Sequence, residues 1–277
     1  MTTPSGGDQL ASIDGRICRA AEVSIPVLDD GLLRGDGVFE FVRCYLGRPF
    51  ALRDHLDRME RSCALVRLDC PRRRLEDEVA ALMDELGPLN RDLRLVLTRG
   101  GRRILLLQRY MDFGRAARLA LVTDRPRMIL GGAKTLSYAG NMLAKRIAEE
   151  RGLEEALLTR PDGRVMEVQQ AAFFWADATG TLCTPPLSEG ILDSITRRIV
   201  LARLPAEERL CTAADALAAG EAFLASTTRE VQPVGVIEGR TFDLVPGPLT
   251  QSARAAYWDE IEEQLGVTAA QIAAAGV

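Results

Sequence analysis

A single histidine, His55, occurs in the 277 residues. That scarcity argues against histidine-rich metal centres and against a catalytic triad. The six cysteines, Cys18, Cys44, Cys63, Cys70, Cys183 and Cys211, contain no C-x-x-C pair. A zinc cluster is therefore not expected, and no metal is assigned. No apolar run approaches the length of a membrane span, and Met1-Thr2-Thr3-Pro4-Ser5-Gly6-Gly7 lacks the basic and apolar regions of a signal peptide. Neither sign of charge dominates: 35 Lys+Arg stand against 39 Asp+Glu, a net of −4, and the charges are interspersed. That pattern leaves no nucleic-acid footprint. The one basic run, Arg72-Arg73-Arg74, precedes Glu76, Asp77 and Glu78 and reads as a solvated helix start. The expectation is a chain with free thiols in a reducing cytoplasm, with no nucleic-acid or membrane partner. Any chemistry it performs must come from lysine, carboxylates or a borrowed cofactor.

What is present is ordinary globular material, 47% hydrophobic and 27% charged. The length suits one large domain or two moderate ones. Asp14-Gly15 reads as a hairpin turn, and alternation from Val38 to Tyr45 marks a strand after Gly35-Asp36-Gly37. The two glycines mark a tight turn, or a backbone brought close to a ligand; spacing favours the turn. Leu52, His55, Leu56, Met59, Cys63 and Val66 recur at helical spacing, and a second helix runs from about Leu75 to Leu86. Strands follow at Asp92 to Thr98, Ile104 to Gln108 and Ala117 to Val122, making the first half α+β. Charge, proline and glycine mark Asp124 to Gly132 as a linker, so domains of 1–123 and 133–277 are expected. Lys134 then opens an amphipathic segment, read as a helix, that runs to Arg151-Gly152. Its neighbours are small or apolar, which lowers an amine pKa, whereas Lys145 sits among charges. Strands follow at Glu155 to Thr159, Val165 to Val168 and Ala171 to Ala176. A helix begins near Ser194, a strand-turn-strand spans Glu221 to Val234, and Ala269 to Ala275 reads as a surface helix.

Several ordered blocks carry a family resemblance. They are GDGVFE, the HLDRM segment, AKTLSYAGNMLAK, the Asp-Gly turn before Glu167, TPPL…GILDSITR and STTREVQPV. Together they span Ile13 to about Gly239, and they resemble the fold-type IV pyridoxal-phosphate enzymes. The likeness is greatest to D-amino-acid aminotransferases, with aminodeoxychorismate lyase as a near relative. It implies a small N-terminal α/β domain and a larger C-terminal domain with a pseudo-barrel of strands. It also implies pyridoxal 5'-phosphate as cofactor and a homodimer.

By that resemblance Lys134 is the lysine that holds the cofactor aldehyde as a Schiff base and then serves as the base at the substrate Cα. Glu167 matches the carboxylate that keeps the pyridine nitrogen protonated. Arg58 matches the phosphate arginine. Ile195 and Thr196 supply N–H groups at a helix N-terminus, and Thr227, with Thr228, completes the phosphate cradle. Without the likeness, Thr196 would be read as a helix cap and Thr227 as a turn residue. Arg34, Phe39, Arg43 and Arg103, with Arg102, are the substrate-binding candidates. Arginine suits a substrate carboxylate because its fork matches two oxygens. Phe39 stands where D-amino-acid enzymes often have tyrosine. Val168-Gln169-Gln170-Ala171-Ala172 departs from the small or hydroxyl-bearing run usual after the glutamate.

The expected activity is ping-pong transamination between an amino acid and a 2-oxo acid. A D-amino acid such as D-alanine or D-glutamate is favoured, with pyruvate or 2-oxoglutarate as partner. The lean rests on the T-R-G loop start and on STTREVQPV. Aminodeoxychorismate lyase, forming p-aminobenzoate and pyruvate, is the rival. A cofactor-free binding protein on the same fold is a third reading, opposed by Lys134, Glu167 and Arg58 occurring together.

Overall fold

A computed structural model describes residues 9–124 and 130–275. The first eight residues and most of the expected linker, 125–129, lie outside that range. The described chain forms two compact units: residues 9–111, 133–137 and 261–275 in one, and 112–124, 130–132 and 138–260 in the other.

The first unit is built on hairpins. Strands β1 (Leu10–Ile13) and β2 (Arg16–Arg19) turn at Asp14-Gly15, where φ is 53° and 91°. Two consecutive left-handed residues give the twist a two-residue hairpin requires. Helix α1 (Asp30–Arg34) precedes β3 (Gly37–Tyr45), which turns through Leu46-Gly47 into the short β4 (Arg48–Pro49). Helices α2 (Leu52–Leu65) and α3 (Arg72–Leu86) lead to β5 (Arg91–Thr98) and β6 (Arg103–Arg109). The strands pair antiparallel in the order β2-β1-β6-β5-β3-β4. Alternate positions Val38 and Val42 of β3 and Leu93, Leu95 and Leu97 of β5 meet Leu56 and Met59 of α2 and Leu75, Val79 and Leu82 of α3. Each such buried side chain contributes roughly 1.5–3 kcal/mol. The helical spacings are thus borne out, though α3 begins earlier than expected. Arg72 bonds Asp57 and Glu60 on α2 and Glu76 one turn on, so the first cation of the basic run is neutralised locally.

The second unit contains β7 (Ala117–Thr123), α4 (Ala139–Glu150), β8 (Glu155–Thr159), β9 (Arg164–Val168), β10 (Ala172–Ala176) and β11 (Leu182–Thr184). Then come α5 (Ile195–Arg203), β12 (Ala206–Glu208), β13 (Cys211–Thr212), α6 (Ala213–Ala218), β14 (Ala222–Ser226), β15 (Glu230–Ile237) and β16 (Arg240–Thr241). Helix α7 (Pro248–Leu265) carries the chain back to the first unit at Ile261, and α8 (Ala269–Ala274) ends it. The strands form one ten-stranded sheet, β12-β11-β10-β14-β15-β7-β8-β9-β13, with β16 on β15. Parallel pairing occurs at β15–β7, β7–β8 and β11–β12. Period-two alternation separates two cores. Leu119 and Leu157 join Trp175, Leu224 and Val234 on one face, while Ala120, Val122, Ala156 and Leu158 pack under Ala144 and Ala148 of α4 on the other.

One expectation fails here. Lys134 does not open a helix: residues 133–137 run extended, and α4 starts only at Ala139. The reason is a better partner for the backbone. Phe39 N donates to Lys134 O (3.0 Å), Leu136 N donates to Gly37 O (2.9 Å), and Thr135 bridges Val38. Strand pairing also decides which compact unit each segment joins. β7 pairs with β8 and β15 and so belongs to the second unit, whereas 133–137 is paired on β3 and belongs to the first.

Candidate active site

Lys134 is fixed at three atoms within the first unit. Its backbone N donates to Ser62 Oγ on α2 (3.1 Å), its carbonyl accepts from Phe39 N, and its Nζ lies 4.5 Å from the centre of the Phe39 ring. Gly37 is what lets this segment approach. A Cβ there would stand 2.5 Å from Leu97 O and 2.7 Å from Leu136 Cδ1. Gly35 takes φ 66° to close α1. Gly35-Asp36-Gly37 is therefore a turn, and Gly37 also admits the backbone of the lysine segment. Asp36 is held by Arg99 Nε at 3.1 Å, while the same guanidinium caps the end of α2 at Val66 O (2.7 Å) and Arg67 O (2.6 Å).

On the α2 face of β3 stands a buried charge cluster. Glu40 is wholly buried and accepts from Arg58 Nε (2.8 Å) and Nη2 (2.7 Å), and it pairs with His55 Nδ1 at 2.8 Å. Burial alone would raise the Glu40 pKa. The charge and fork of Arg58, backed by His55, outweigh it and hold the carboxyl well below the usual range. The His55 pKa is lowered as well: burial brings it down despite the Glu40 bond, and the charges of Arg58 and Lys134 add to that. The expected phosphate arginine is thus a member of a compensated ion pair.

On the opposite face of β3, Phe39 and Phe41 lie under the Arg94 guanidinium, whose carbon is 5.3 Å and 4.9 Å from the two ring centres. Arg94 Nε also donates to Gln108 Oε1 at 3.2 Å. It shares the Phe39 ring with the Lys134 amine, and the sequence reading missed it. Its signal was an arginine inside the apolar run Leu93 to Leu97.

The expected substrate arginines are placed otherwise. Arg43 is buried, forks onto Asp92 at 2.9 Å and 3.2 Å, donates to Met111 O at 3.0 Å and stacks on Tyr110 at 3.8 Å. These partners enclose its guanidinium within the first unit. Arg103 joins Glu78 at 2.7 Å and Arg102 joins Asp14 at 2.6 Å, while Arg34 is exposed and paired with Asp30 on its own helix. Each of these three cations is held by a neighbouring carboxylate.

The remaining candidates belong to the second unit. Glu167 is half-buried on β9, and its Oε1 accepts from Leu192 N at 3.2 Å. The loop that supplies Leu192 is held by Glu189, which takes Arg160 at 2.8 Å and Arg164 at 2.7 Å. Ser194, not Thr196, caps α5, its side chain accepting from Arg197 N at 3.3 Å. Ile195 and Thr196 are consequently the first helical residues, whose N–H groups have no intrahelical acceptor. Both are buried. Thr227 and Thr228 form the turn between β14 and β15 and are half-buried. Gln169, in the run that departs from the usual pattern, is buried, and its carbonyl accepts from Tyr138 OH (2.8 Å) and Asn141 Nδ2 (2.7 Å). Among the described residues there is no cluster fit to hold a metal ion, and no helix is long and apolar enough to cross a membrane.

Comparison with known proteins matches this layout. Residues 37–237 match the family Amino-transferase class IV. A D-alanine aminotransferase from Bacillus licheniformis is 31% identical over 281 residues, covering 92% of this chain and 98% of its own. A branched-chain aminotransferase from Thermoproteus uzoniensis, solved with norvaline, superposes with a TM-score of 0.81 at 27% identity, over 95% of this chain and 97% of its own. A fold IV transaminase from Curtobacterium pusillum gives 0.82 at 24% identity, over 94% and 99%. With its fold and most of its length matched in this way, the chain belongs to the class IV aminotransferases.

Proposed function

We propose that this class IV aminotransferase uses pyridoxal 5'-phosphate to move an amino group from a D-amino acid, D-alanine or D-glutamate foremost, to pyruvate or 2-oxoglutarate. The observation that carries the reading is the fixation of Lys134. Ser62 and Phe39 hold its backbone, and an aromatic ring lies against its amine. The donor chemistry fits the cofactor. The first N–H groups of α5 and the hydroxyl-bearing turn Thr227-Thr228 suit a phosphate, with Arg58 as its cation. Glu167, fixed by Leu192 N, suits a protonated pyridine nitrogen. When bound, the cofactor supplies an aldehyde for an amine and a ring that accepts an electron pair.

The chain's own residues do the rest. Lys134 Nζ would take the proton from the substrate Cα and return it. The Glu167 carboxylate would keep the ring nitrogen protonated. Phe39 bounds the amine on one side with the face of its ring. Arg94 is the arginine best disposed toward the substrate carboxylate, since it lies on the same aromatic ring as the amine. Two copies of the chain form the working enzyme, in a reducing compartment such as the cytoplasm, consistent with six free thiols.

The D-specific reading draws on the T-R-G loop start, on STTREVQPV and on the likeness to a D-alanine aminotransferase. A branched-chain L-amino acid is the second reading, favoured by the Thermoproteus likeness. A screen of single-substrate half-reactions separates them. D-alanine or D-glutamate should bleach the yellow band of the bound cofactor and release a 2-oxo acid. Bleaching by L-leucine or L-valine alone would move the assignment to branched-chain substrates. Release of p-aminobenzoate from aminodeoxychorismate, with little bleaching by any amino acid, would make the protein a lyase.

A further inference from the structure

Within the second unit, three side chains that the transamination reading does not use form a buried network. Glu155, Gln169 and Arg229 are 5%, 2% and 6% exposed. The Glu155 carboxylate accepts from Arg229 Nη2, from Gln169 Nε2 and, at 3.2 Å, from Lys145 Nζ. Arg229 directly follows Thr227-Thr228, and its backbone N donates to Ser226 Oγ at 3.3 Å, closing that turn. Its guanidinium also donates to Gln232 Oε1 (2.5 Å) and stacks on Phe113 at 4.3 Å, while its Nε finds no partner among the described residues.

We propose that Glu155 is a positioning residue for cofactor phosphate binding, acting through Arg229 on the Thr227–Thr228 turn. The inference rests on the assignment of that turn to the phosphate cradle. A buried guanidinium needs a carboxylate, and its fixed fork transmits orientation to the backbone that carries it. Glu155 is itself held from behind. Gln169 Oε1 accepts from Ala156 N at 2.9 Å, so the amide that meets the carboxylate cannot rotate freely. The long amide at 169 replaces the small or hydroxyl-bearing residue expected there, and it reaches the one carboxylate that Arg229 needs. Groups held this way enter binding already oriented, which is where supporting residues contribute affinity.

The test compares two ligands of the apoprotein: pyridoxal 5'-phosphate and pyridoxal, which lacks the phosphate. Dissociation constants are measured for the parent chain, Glu155→Gln and Arg229→Gln, with near-ultraviolet circular dichroism to confirm folding. Both variants should weaken pyridoxal phosphate binding by about tenfold or more, the usual size for a supporting partner, and leave pyridoxal binding nearly unchanged. A merely structural role would weaken both ligands alike, and that result overturns the proposal. So does full retention of the phosphate preference in either variant. Should Glu155→Gln fail to fold, Arg229→Gln, which leaves Glu155 its Lys145 and Gln169 partners, decides the matter alone. A parent chain that binds the two ligands equally would instead overturn the cradle assignment, and this inference with it.

Discussion

The Lys134 amine is held by a backbone that does not depend on it, because Ser62 and Phe39 engage its N and O atoms. Lys134→Ala should therefore fold normally while losing turnover by about 10³-fold or more, the scale of a removed proton carrier. Half-reaction absorbance and a thermal midpoint check both halves of that statement, and retained turnover would remove Lys134 from the chemistry. Arg94→Ala should raise KM for the amino acid with a smaller change in kcat. A lost charged hydrogen bond is worth about 1.5–3 kcal/mol, and an unchanged KM would point to another carboxylate partner. Acid sensitivity is expected from His55 and Glu40. Burial opposes charge in both, but His55 yields to it, while Glu40 is held ionised by Arg58 and His55. Both folded pKa values lie below the ordinary 6.5 and 4.5, so the unfolded chain binds more protons as pH falls. The His55 contribution is present above 6.5 and declines as pH drops below it; that of Glu40 is present above 4.5 and declines further down. Denaturant midpoints on either side of each value test this, and His55→Gln should remove the upper step and also weaken the lower one, because His55 helps hold Glu40 ionised.

At the level of single elements, β3 and the segment laid beside it depend on one missing side chain. Gly37→Ala would drive a Cβ against Leu97 O and Leu136 Cδ1, costing about 1–3 kcal/mol in overpacking. Chemical denaturation measures it, and a neutral result would show that the Lys134 segment can shift. The elements legible in the sequence were those with a clean period. The β1–β2 turn at Asp14-Gly15, α2 with Leu56 and Met59 inside, and alternation along β7 and β8 all follow from local pattern. What was not legible was contact between distant positions. Arg43 faces Asp92 only because β3 and β5 pair in that register, so a cation that looked available is enclosed. The same holds for Lys134, whose apolar neighbours read as a helix until β3 offers its backbone a partner. Helix α7 could have been found, since Ala253, Tyr257 and Ile261 recur every fourth residue and are all buried. The site residues Lys134, Arg58 and Glu167 rested on resemblance, and nothing in their local spacing distinguishes them from surface charges.

At the scale of the whole chain, family membership fixes the reaction class and leaves substrate and assembly to experiment. Val27, Leu28, Leu32 and Leu33, around α1, are each more than half exposed, a concentration of apolar surface that fits a partnered region. Sedimentation velocity should give about twice the 30.3 kDa chain mass; a species of single chain mass would remove the second copy from the account. One consequence concerns how the polypeptide may be divided. Because the first unit takes residues 133–137 and 261–275 from far downstream, a gene cut after residue 111 would leave the edge of β3 bare at Gly37 and Phe39, and Asn90 without its acceptor at Ile272 O. The N-terminal half is therefore not a module that could be expressed, swapped or inherited alone. The amine-bearing strip is stitched into it from beyond β7, so the two units are interwoven along one chain.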